Sequence, residues 1–320
     1  MSRVCGMVRI FFSVDCHGST TVWKKWIRAH ERFKADVMML CGDLTGKALV
    51  PLVKQEGGYY TDYFGTGKVL KGEEVTKVER ILEGSGLYPF RTTWEEVREL
   101  QRNPQKVEEM MNEAIKRRLI DWLELLLKNV DTSKVKVLVM PGNDDIFDID
   151  PIIKSYEDRG IIYPLDKVVE IDGFEIISYD YVNPTPWDTP REAKEKTIKK
   201  DIEKKISWLS DVSKAIFNFH CPPYGTRLDL APELDKNLKP VMRGGQPSII
   251  HVGSKAIREL ELEYKPMLGL HGHIHEASGV DKLGDTIIFN PGSEYGEGVL
   301  RGYVIELSEG KLKRYWRVQG

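Results

Sequence analysis

The chain contains 320 residues, of which 41% are hydrophobic and 30% are charged. These fractions are typical of a soluble globular protein with a buried core, and they exclude a disordered or fibrous chain. The formal net charge of −2 is not the strongly basic charge that extended nucleic-acid contact requires, and the length allows one large α/β domain or two smaller ones.

The first residues carry no signal-peptide pattern, because Arg3 and Arg9 interrupt the run of apolar residues. No apolar stretch approaches the roughly 18 residues of a membrane span. We therefore expect a cytoplasmic protein whose four cysteines are reduced thiols. Cys16, Cys41 and Cys221 lie beside polar motifs, but without paired Cys-x-x-Cys spacing they are interpreted as small buried residues rather than metal ligands.

Five apolar runs, rich in β-branched residues, are each followed at once by a polar cluster. They are residues 8–14, 36–40, 135–140, 215–219 and 266–270. Helical patterns lie between them, and the clearest covers residues 110–129. Strands that alternate with helices predict an α/β fold with buried sheets. In such folds the carboxyl ends of the strands gather at one edge, so we expect the polar clusters to converge.

Two parts of the chain depart from this alternation. Residues 286–290, 302–307 and 312–318 read as a strand-only meander, which predicts a second sheet packed against the first. Residues 47–110 are rich in glycine and aromatic residues, among them Tyr59, Tyr60, Tyr63 and Phe64. We interpret this segment as an insertion into a single domain that spans residues 1–320. Its aromatic residues would form a lid or stack on a nucleobase, or the segment would be a small satellite core or a dimerisation surface.

The polar clusters contain the side chains that bind transition metals. They are Asp15, His17, Asp43, Asn143, His220, His273 and His275. Each of these residues, taken alone, is explained as an ordinary polar residue at the end of a strand. Random placement, however, rarely puts seven metal-binding side chains at the ends of five strands. Carboxylate oxygen and imidazole nitrogen suit Mn, Fe, Zn, Ni or Co better than Mg or Ca. Two such ions, about 3.5–4 Å apart, can clamp the attacking and leaving oxygens of a displacement at phosphorus.

In this order, the clusters resemble the signature blocks of the calcineurin-like metallophosphoesterases. The matching blocks are Asp15-Cys16-His17, Gly42-Asp43, Gly142-Asn143, His220 and Gly272-His273-Ile274-His275. The resemblance implies an α/β fold of two packed mixed β-sheets flanked by helices, a four-layer αββα sandwich. It also implies a metal-bridging hydroxide as the nucleophile. By the same resemblance Asp15, His17 and His275 hold one metal ion, Asn143, His220 and His273 hold the other, and Asp43 bridges them.

One position departs from the family pattern. Asp144 follows Asn143, where the family usually has a histidine that contacts phosphate and can protonate the leaving group. An aspartic acid has an unperturbed pKa of about 3.9, against about 6.5 for histidine, so it faces the substrate as an anion unless its surroundings raise that pKa. Asp144 could therefore be the catalytic acid, or it could be an auxiliary ligand or a water-orienting group. In a third interpretation, His251 or His271 takes over the role of the catalytic acid.

For His251, predicted within a helix over residues 247–262, and for His271, a structural role is favoured over a catalytic one. His251 is also a candidate substrate-binding residue together with Asn143. Lys47, Arg227 and Arg243 lie in loops and could bind phosphate, although surface charge is the simpler interpretation.

The expected function is metal-dependent hydrolysis of a small phosphoester, with a diester or nucleotide-like substrate favoured over a monoester or a long polymer. One alternative is a nuclease on single-stranded nucleic acid, which shares the ligands but should carry a basic groove. Another is a non-catalytic scaffold that retains the metal ligands. The natural substrate, the metal and the oligomeric state, including a homo-oligomer through the insertion, stay open at this point.

Overall fold

The computed structural model describes residues 6–63 and 65–320, so Phe64 and Cys5 lie outside the described residues. The first of two large sheets has the strand order β20-β19-β1-β2-β7-β8. Its strands are β1 (Met7–Ser13), β2 (Val37–Cys41), β7 (Lys136–Met140), β8 (Ile161–Ile162), β19 (Arg301–Ser308) and β20 (Lys311–Gln319). Strands β1, β2, β7 and β8 run parallel, whereas β19 pairs antiparallel with both β1 and β20.

The second large sheet has the order β17-β18-β16-β11-β10-β9. Its strands are β9 (Val169–Ile171), β10 (Phe174–Tyr179), β11 (Ala215–Phe219), β16 (Leu268–Leu270), β17 (Gly279–Leu283) and β18 (Thr286–Asn290). Strands β10, β11, β16 and β18 are parallel, and β9 and β17 are antiparallel edge strands. The predicted C-terminal meander is therefore wrong as a single sheet. Strand β18 belongs to the second sheet, whereas β19 and β20 complete the first sheet beside β1.

Seven α-helices lie in the described part of the chain. They are α1 (Thr20–Phe33), α2 (Glu73–Gly84), α3 (Trp94–Arg102), α4 (Pro104–Asn129), α5 (Ile149–Lys154), α6 (Glu195–Ile206) and α7 (Lys255–Tyr264). Helix α1 begins where the Ser19 hydroxyl accepts a hydrogen bond from the Val22 amide at 3.3 Å, and it ends at Lys34 in a left-handed conformation. Among the residues described, no helix combines the length and apolar character needed to cross a membrane.

The two large sheets pack face to face. Side chains alternate along β10 and β11, so Ile176 and Ile216 join the core shared with the first sheet. Their neighbours Ile177 and Phe217 point the other way and pack beneath α6 and α7. Helices α1 and α4 cover the outer face of the first sheet with buried aliphatic and indole side chains. The result is the predicted four-layer α/β arrangement, with two mixed sheets between helices.

A separate sheet of order β5-β4-β3-β6 lies within the predicted insertion. Its strands are β3 (Leu49–Gln55), β4 (Gly58–Thr61), β5 (Lys68–Leu70) and β6 (Tyr88–Thr92). With α2 it encloses its own small core, which includes Leu52, Leu70 and Leu82. The Tyr88 hydroxyl accepts a hydrogen bond from the Gly46 amide at 3.1 Å, so this sheet is attached beside the end of β2.

Residues 230–251 form two short strand pairs, which we call the flap. Strand β12 (Leu230–Pro232) pairs with β15 (Ile249–His251), and β13 (Met242–Arg243) pairs with β14 (Gln246–Pro247). The predicted helix over residues 247–262 is therefore wrong in its first part. Helix α7 begins only at Lys255, because the Ser254 side chain caps it by accepting from the Ile257 amide at 3.2 Å.

The indole pair between α1 and α4 generates a stability prediction. Trp23 is fully buried, its ring stacks on Trp122 at 4.8 Å, and its Nε1 donates to the Trp122 carbonyl at 3.1 Å. Trp23→Ala should lower the free energy of unfolding by about 3–5 kcal/mol, because it leaves a cavity and removes the indole hydrogen bond. The half-exposed Trp208 provides the control, and Trp208→Ala should cost less than about 1 kcal/mol. Equal losses in denaturant titrations of the two variants would contradict this prediction.

Candidate metal centre

The seven predicted ligand residues meet in the cleft between the carboxyl ends of the two large sheets. Asp15 and His17 follow β1, Asp43 follows β2, and Asn143 follows β7. His220 directly follows β11 of the second sheet, and His273 and His275 follow β16. The convergence predicted from the five strand ends is therefore present in the structure. Asp15, His17, Asp43, Asn143 and His220 are buried, whereas His273 and His275 are partly exposed.

Asp43 lies at the centre of this group. Its Oδ2 is 3.5 Å from His17 Nε2 and 3.3 Å from His220 Nε2. Ligand atoms of Asp43, Asp15, His17 and His275 lie within 4.8 Å of one another, and those of Asp43, His220 and His273 do the same. Asp43 thus belongs to both groups, as a bridging carboxylate would.

The remaining short distances join residues from different loops. His17 Nε2 lies 2.9 Å from His275 Nε2, and His220 Nε2 lies 3.0 Å from Asn143 Oδ1. Two ligands that are each about 2.1 Å from one ion are separated by roughly 3 Å, so these spacings match a shared cation.

The backbone that carries these side chains adopts an unusual conformation. Asp15, His17, Asp43 and His273 have φ values of 52°, 38°, 45° and 65°, in the left-handed region that residues other than glycine rarely occupy. Such residues cost on the order of 1–3 kcal/mol each and cluster at functional sites. Gly142 permits a close approach, because a Cβ there would overlap the backbone nitrogen and Oδ1 of Asp43.

A buried carboxylate, Asp145, ties the loops of the first sheet together. It accepts hydrogen bonds from the amides of Leu44 and Thr45 at 2.9 Å each and from the Gly142 amide at 2.8 Å. The Thr45 hydroxyl donates a fourth bond at 2.6 Å. The loop after β2 and the loop after β7 are thereby held in one geometry.

Two contacts at the centre were not foreseen from the sequence. Asn143 Nδ2 donates to the Thr189 hydroxyl at 3.0 Å, which leaves Asn143 Oδ1 directed toward His220. The Tyr295 ring lies 4.6 Å from the His17 ring and packs against it. Neither residue belongs to a strand-end motif, so no local pattern indicates them.

Burial and mutual charge shift the pKa values within the cluster. Burial acts to lower the pKa of His220, but Asp43 and Asp15 outweigh it and raise that pKa to about 9. Burial lowers the pKa of His273 to about 3, with a further contribution from the positive charge of His220. Burial raises the pKa of Asp15 well above its ordinary value. At neutral pH, His220 therefore carries a proton in the metal-free protein.

The donor set fits divalent transition-metal ions. Asp15 Oδ1 is buried and has no hydrogen-bond donor among the residues described, which is the kind of lone pair that a cation satisfies. The remaining donors are carboxylate oxygen, amide oxygen and imidazole nitrogen, a mixture suited to Mn, Fe, Zn, Ni or Co. Hydrogen bonds from neighbouring groups also orient the metal-binding side chains, since the His273 amide donates to Asp15 Oδ2 at 3.0 Å.

Comparison with known proteins adds to these observations. No family model matches the chain. Over 175 residues it is 31% identical to the uncharacterized protein MJ1162 of Methanocaldococcus jannaschii, an alignment that covers 53% of this chain and 70% of that protein. The chain belongs to the family of this protein.

Solved structures agree on the fold. The protein TT1561 of Thermus thermophilus superposes with a TM-score of 0.50 at 12% identity, over 98% of each chain. A second solved structure superposes with a TM-score of 0.54 at 16% identity, over 98% of this chain and 99% of the other. Both structures therefore share this fold, two mixed sheets flanked by helices, over nearly the whole chain.

Asp144, which departs from the calcineurin-like pattern, lies at the edge of the centre. Its backbone amide donates to Asp43 Oδ1 at 2.9 Å, and its carboxylate forms an ion pair with Lys47. Burial and the negative charge of Asp43 raise the pKa of Asp144 to about 6, although Lys47 opposes both. The carboxylate is therefore engaged by a lysine that sequence reasoning left as surface charge.

A cavity of about 750 Å³ opens from the metal centre toward the flap. Lys47, Trp187, Tyr224 and His251 line it together with the candidate ligands. His251 is therefore brought to the site, as its interpretation as a substrate-binding residue requires.

The other basic candidates lie elsewhere. His271 is fully buried, 3.1 Å from Glu261, and its Nδ1 lies 2.9 Å and 3.0 Å from the Phe219 and Cys221 carbonyls that flank His220. Arg243 is exposed and pairs with Glu233 at 3.0 Å, and Arg227 is exposed as well.

The cysteines beside the motifs are buried free thiols and lie outside both ligand groups. Burial raises the pKa of Cys41 and of Cys221 to about 12. Cys16 has its pKa raised by burial too, and its thiol donates to the Leu44 carbonyl at 3.2 Å. The three groups thus remain protonated and serve as small buried residues.

The protonation of His220 predicts how metal binding depends on pH. A metal ion requires the neutral imidazole, so binding must release the proton that His220 holds below pH about 9. The apparent affinity should therefore rise by about tenfold per pH unit for each proton released as the pH increases toward 9, and level off above it. Calorimetric titration with Mn²⁺ in buffers of different ionisation enthalpy measures the protons released. Release of no proton at pH 7 would contradict the assignment.

Proposed function

We propose that this protein is a metal-dependent phosphoric ester hydrolase that uses two divalent ions. Asp15, His17 and His275 would hold one ion, Asn143, His220 and His273 the other, and Asp43 would bridge them. When bound, the ions supply a nucleophilic hydroxide at neutral pH and neutralise the charge that develops on the phosphoryl oxygens. The observation that carries this proposal is the position of Asp43, which is shared by both groups of ligand atoms.

The chain's own residues would bind and orient the ester. Asn143 is anchored by Thr189 and faces the centre, so it would lie beside a phosphoryl group bound there. Lys47 lines the cavity and is held by Asp144, which places an ammonium group where an anionic phosphate would sit. On this proposal Asp144 acts by holding Lys47, so that the ammonium group is directed to the phosphate while the carboxylate stays paired.

The cavity favours a small substrate with an organic group. Its volume of about 750 Å³ lies in the range of small-molecule sites. Trp187 is 58% exposed on the cavity wall, and Tyr224 lies on the same wall, so planar rings are offered for stacking. A phosphodiester or a nucleotide-like compound fits these features.

A nuclease acting on single-stranded nucleic acid is the second candidate function, and the charge of the cavity disfavours it. Three glutamates, Glu195, Glu233 and Glu276, line the cavity against two lysines, Lys47 and Lys255. A strand-binding channel needs an excess of positive charge along the phosphate backbone. A compact substrate needs only the local charge at the metal centre.

Phosphoesterase activity should depend on metal and on Asp43. Protein stripped with a chelator should be inactive, and Mn²⁺ or Ni²⁺ should restore hydrolysis of aryl phosphodiesters. Asp43→Ala should reduce kcat/KM by at least about a thousandfold, because it removes several kcal/mol of metal-dependent stabilisation. The panel should include aryl monoesters, cyclic nucleotides and single-stranded DNA.

The exposed Asp285 provides a matched control, and Asp285→Ala should leave activity unchanged. Metal analysis of the purified protein separates an enzyme from a scaffold. Less than one transition-metal ion per chain, together with inactivity on the whole panel after metal addition, would favour the non-catalytic alternative.

A further inference from the structure

His251 is held by a fully buried carboxylate on the cavity wall. Its Nδ1 lies 2.7 Å from Asp229 Oδ1, and its ring packs 5.6 Å from the ring of Tyr224. Asp229 is 0% exposed, whereas the His251 side chain is 39% exposed. The edge of the imidazole that carries Nδ1 thus faces the protein, and the opposite edge, with Nε2, is left open.

Asp229 is itself fixed in place by the backbone. Its Oδ1 also accepts from the Thr226 amide at 3.0 Å, and its Oδ2 accepts from the amides of Gly225 and Gly253 at 3.0 Å each. Three of the four bonds to this carboxylate come from the main chain, so its orientation is determined before the imidazole binds. Asp229 therefore selects the tautomer with hydrogen on Nδ1 and sets the direction of the ring.

The pair opens into the cavity that contains the metal centre. His251 lines the same cavity as His17, Asn143, Asp144 and His273. It belongs to the flap, whereas His17, Asn143 and Asp144 lie in loops that follow strands of the first sheet. A substrate held at the metal centre would therefore extend its organic group toward His251.

We propose that His251, positioned by Asp229, donates the leaving-group proton in the hydrolysis proposed above, on which this inference rests. Oxygen from water forms a bond to phosphorus, and the bond from phosphorus to the leaving oxygen breaks. The attacking water releases one proton to solvent. The leaving oxygen retains the electron pair and takes the Nε2 proton of the doubly protonated ring, which becomes the neutral imidazole with its hydrogen on Nδ1, and solvent then returns a proton to Nε2. The histidine that the family places beside Asn143 is thereby replaced by one on a different part of the fold.

Asp144 is less suited to this step. Its carboxylate is paired with Lys47 and lies 3.7 Å from His17 Nδ1, so it is surrounded by positively charged or metal-directed groups. His251 has a single fixed partner and a free edge.

The test measures how hydrolysis depends on the leaving group. The metal-loaded full chain is assayed on aryl phosphodiesters whose phenols span pKa values from about 4 to about 10, a range over which the need for a proton donor grows. His251→Asn retains an amide N–H near the Nδ1 position and removes Nε2. We expect it to lose about 10²–10⁴-fold in kcat on the poorest leaving group and less than about threefold on the best.

Three further variants complete the experiment. His251→Gln places an amide near the Nε2 position, which cannot transfer a proton, and should show the same selective loss. His30→Asn is the matched control, because His30 lies in α1, with Nδ1 2.6 Å from the Ile27 carbonyl, and does not line the cavity, and it should behave as the wild type. Melting temperature and metal content should be unchanged in these variants. Asp144→Asn should reduce turnover equally across the series, because Lys47 loses its partner for every ester.

The outcomes separate this inference from the proposed function. Wild-type inactivity on every ester after metal loading would overturn both. An active wild type whose His251 variants lose activity uniformly, or lose none, would overturn the proton-donor role alone. Selective loss in Asp144→Asn but not in the His251 variants would assign the proton to Asp144 instead.

Discussion

The buried carboxylate of Asp43 is the group on which the geometry of the centre depends. It faces His17 from its own sheet and His220 from the other, and it accepts the Asp144 amide. A carboxylate removed from water is costly unless positive charge and hydrogen bonds surround it. Here the imidazole of His220 supplies that charge, and for this reason the pKa of His220 is raised to about 9. A proton and a metal ion thus compete for the imidazole nitrogen of His220 that faces Asp43. Either one links Asp43, in a loop of the first sheet, to His220, in a loop of the second.

The two sheets make this arrangement rigid enough to hold. Strands β2, β11 and β16 are buried along their whole length, so the loops that follow them start from fixed points. The left-handed conformations of Asp15, Asp43 and His273 would relax in a mobile loop. They persist because the ladders and the four bonds to Asp145 determine the backbone path around them. The ordered sheets therefore maintain the strained backbone at the ligand residues.

The strand ends could be predicted from the sequence because each is a local pattern, an apolar run followed at once by polar residues. Pairing between distant segments left no such pattern. Strand β19 was wrongly grouped with β18, since its partner is β1, with Met7 opposite Ser308. The helix predicted over residues 247–262 failed because the apolar residues before Gly253 belong to a strand pair. The contacts of Thr189 and Asp229 escaped prediction for a related reason, because they reach Asn143 and His251 only after the chain has folded, across 46 and 22 residues. The ligand residues were found because family motifs record them, whereas the groups that orient them are recorded only by the fold.

The exchange of histidine for Asp144 divides two tasks that one side chain performs in the family pattern. A histidine beside Asn143 both contacts the phosphate and supplies a proton. Asp144 cannot contact an anion favourably by itself, but with Lys47 it presents an ammonium group to the cavity and keeps its own charge compensated. The Asp144–Lys47 pair thus takes over the contact with phosphate. It does not supply the proton that the leaving group needs. The flap brings His251 to the wall of the same cavity, where it can serve as the proton donor. The buried Asp229 joins this task to the fold, since three main-chain amides fix its carboxylate and its fourth bond then sets the direction of the His251 ring.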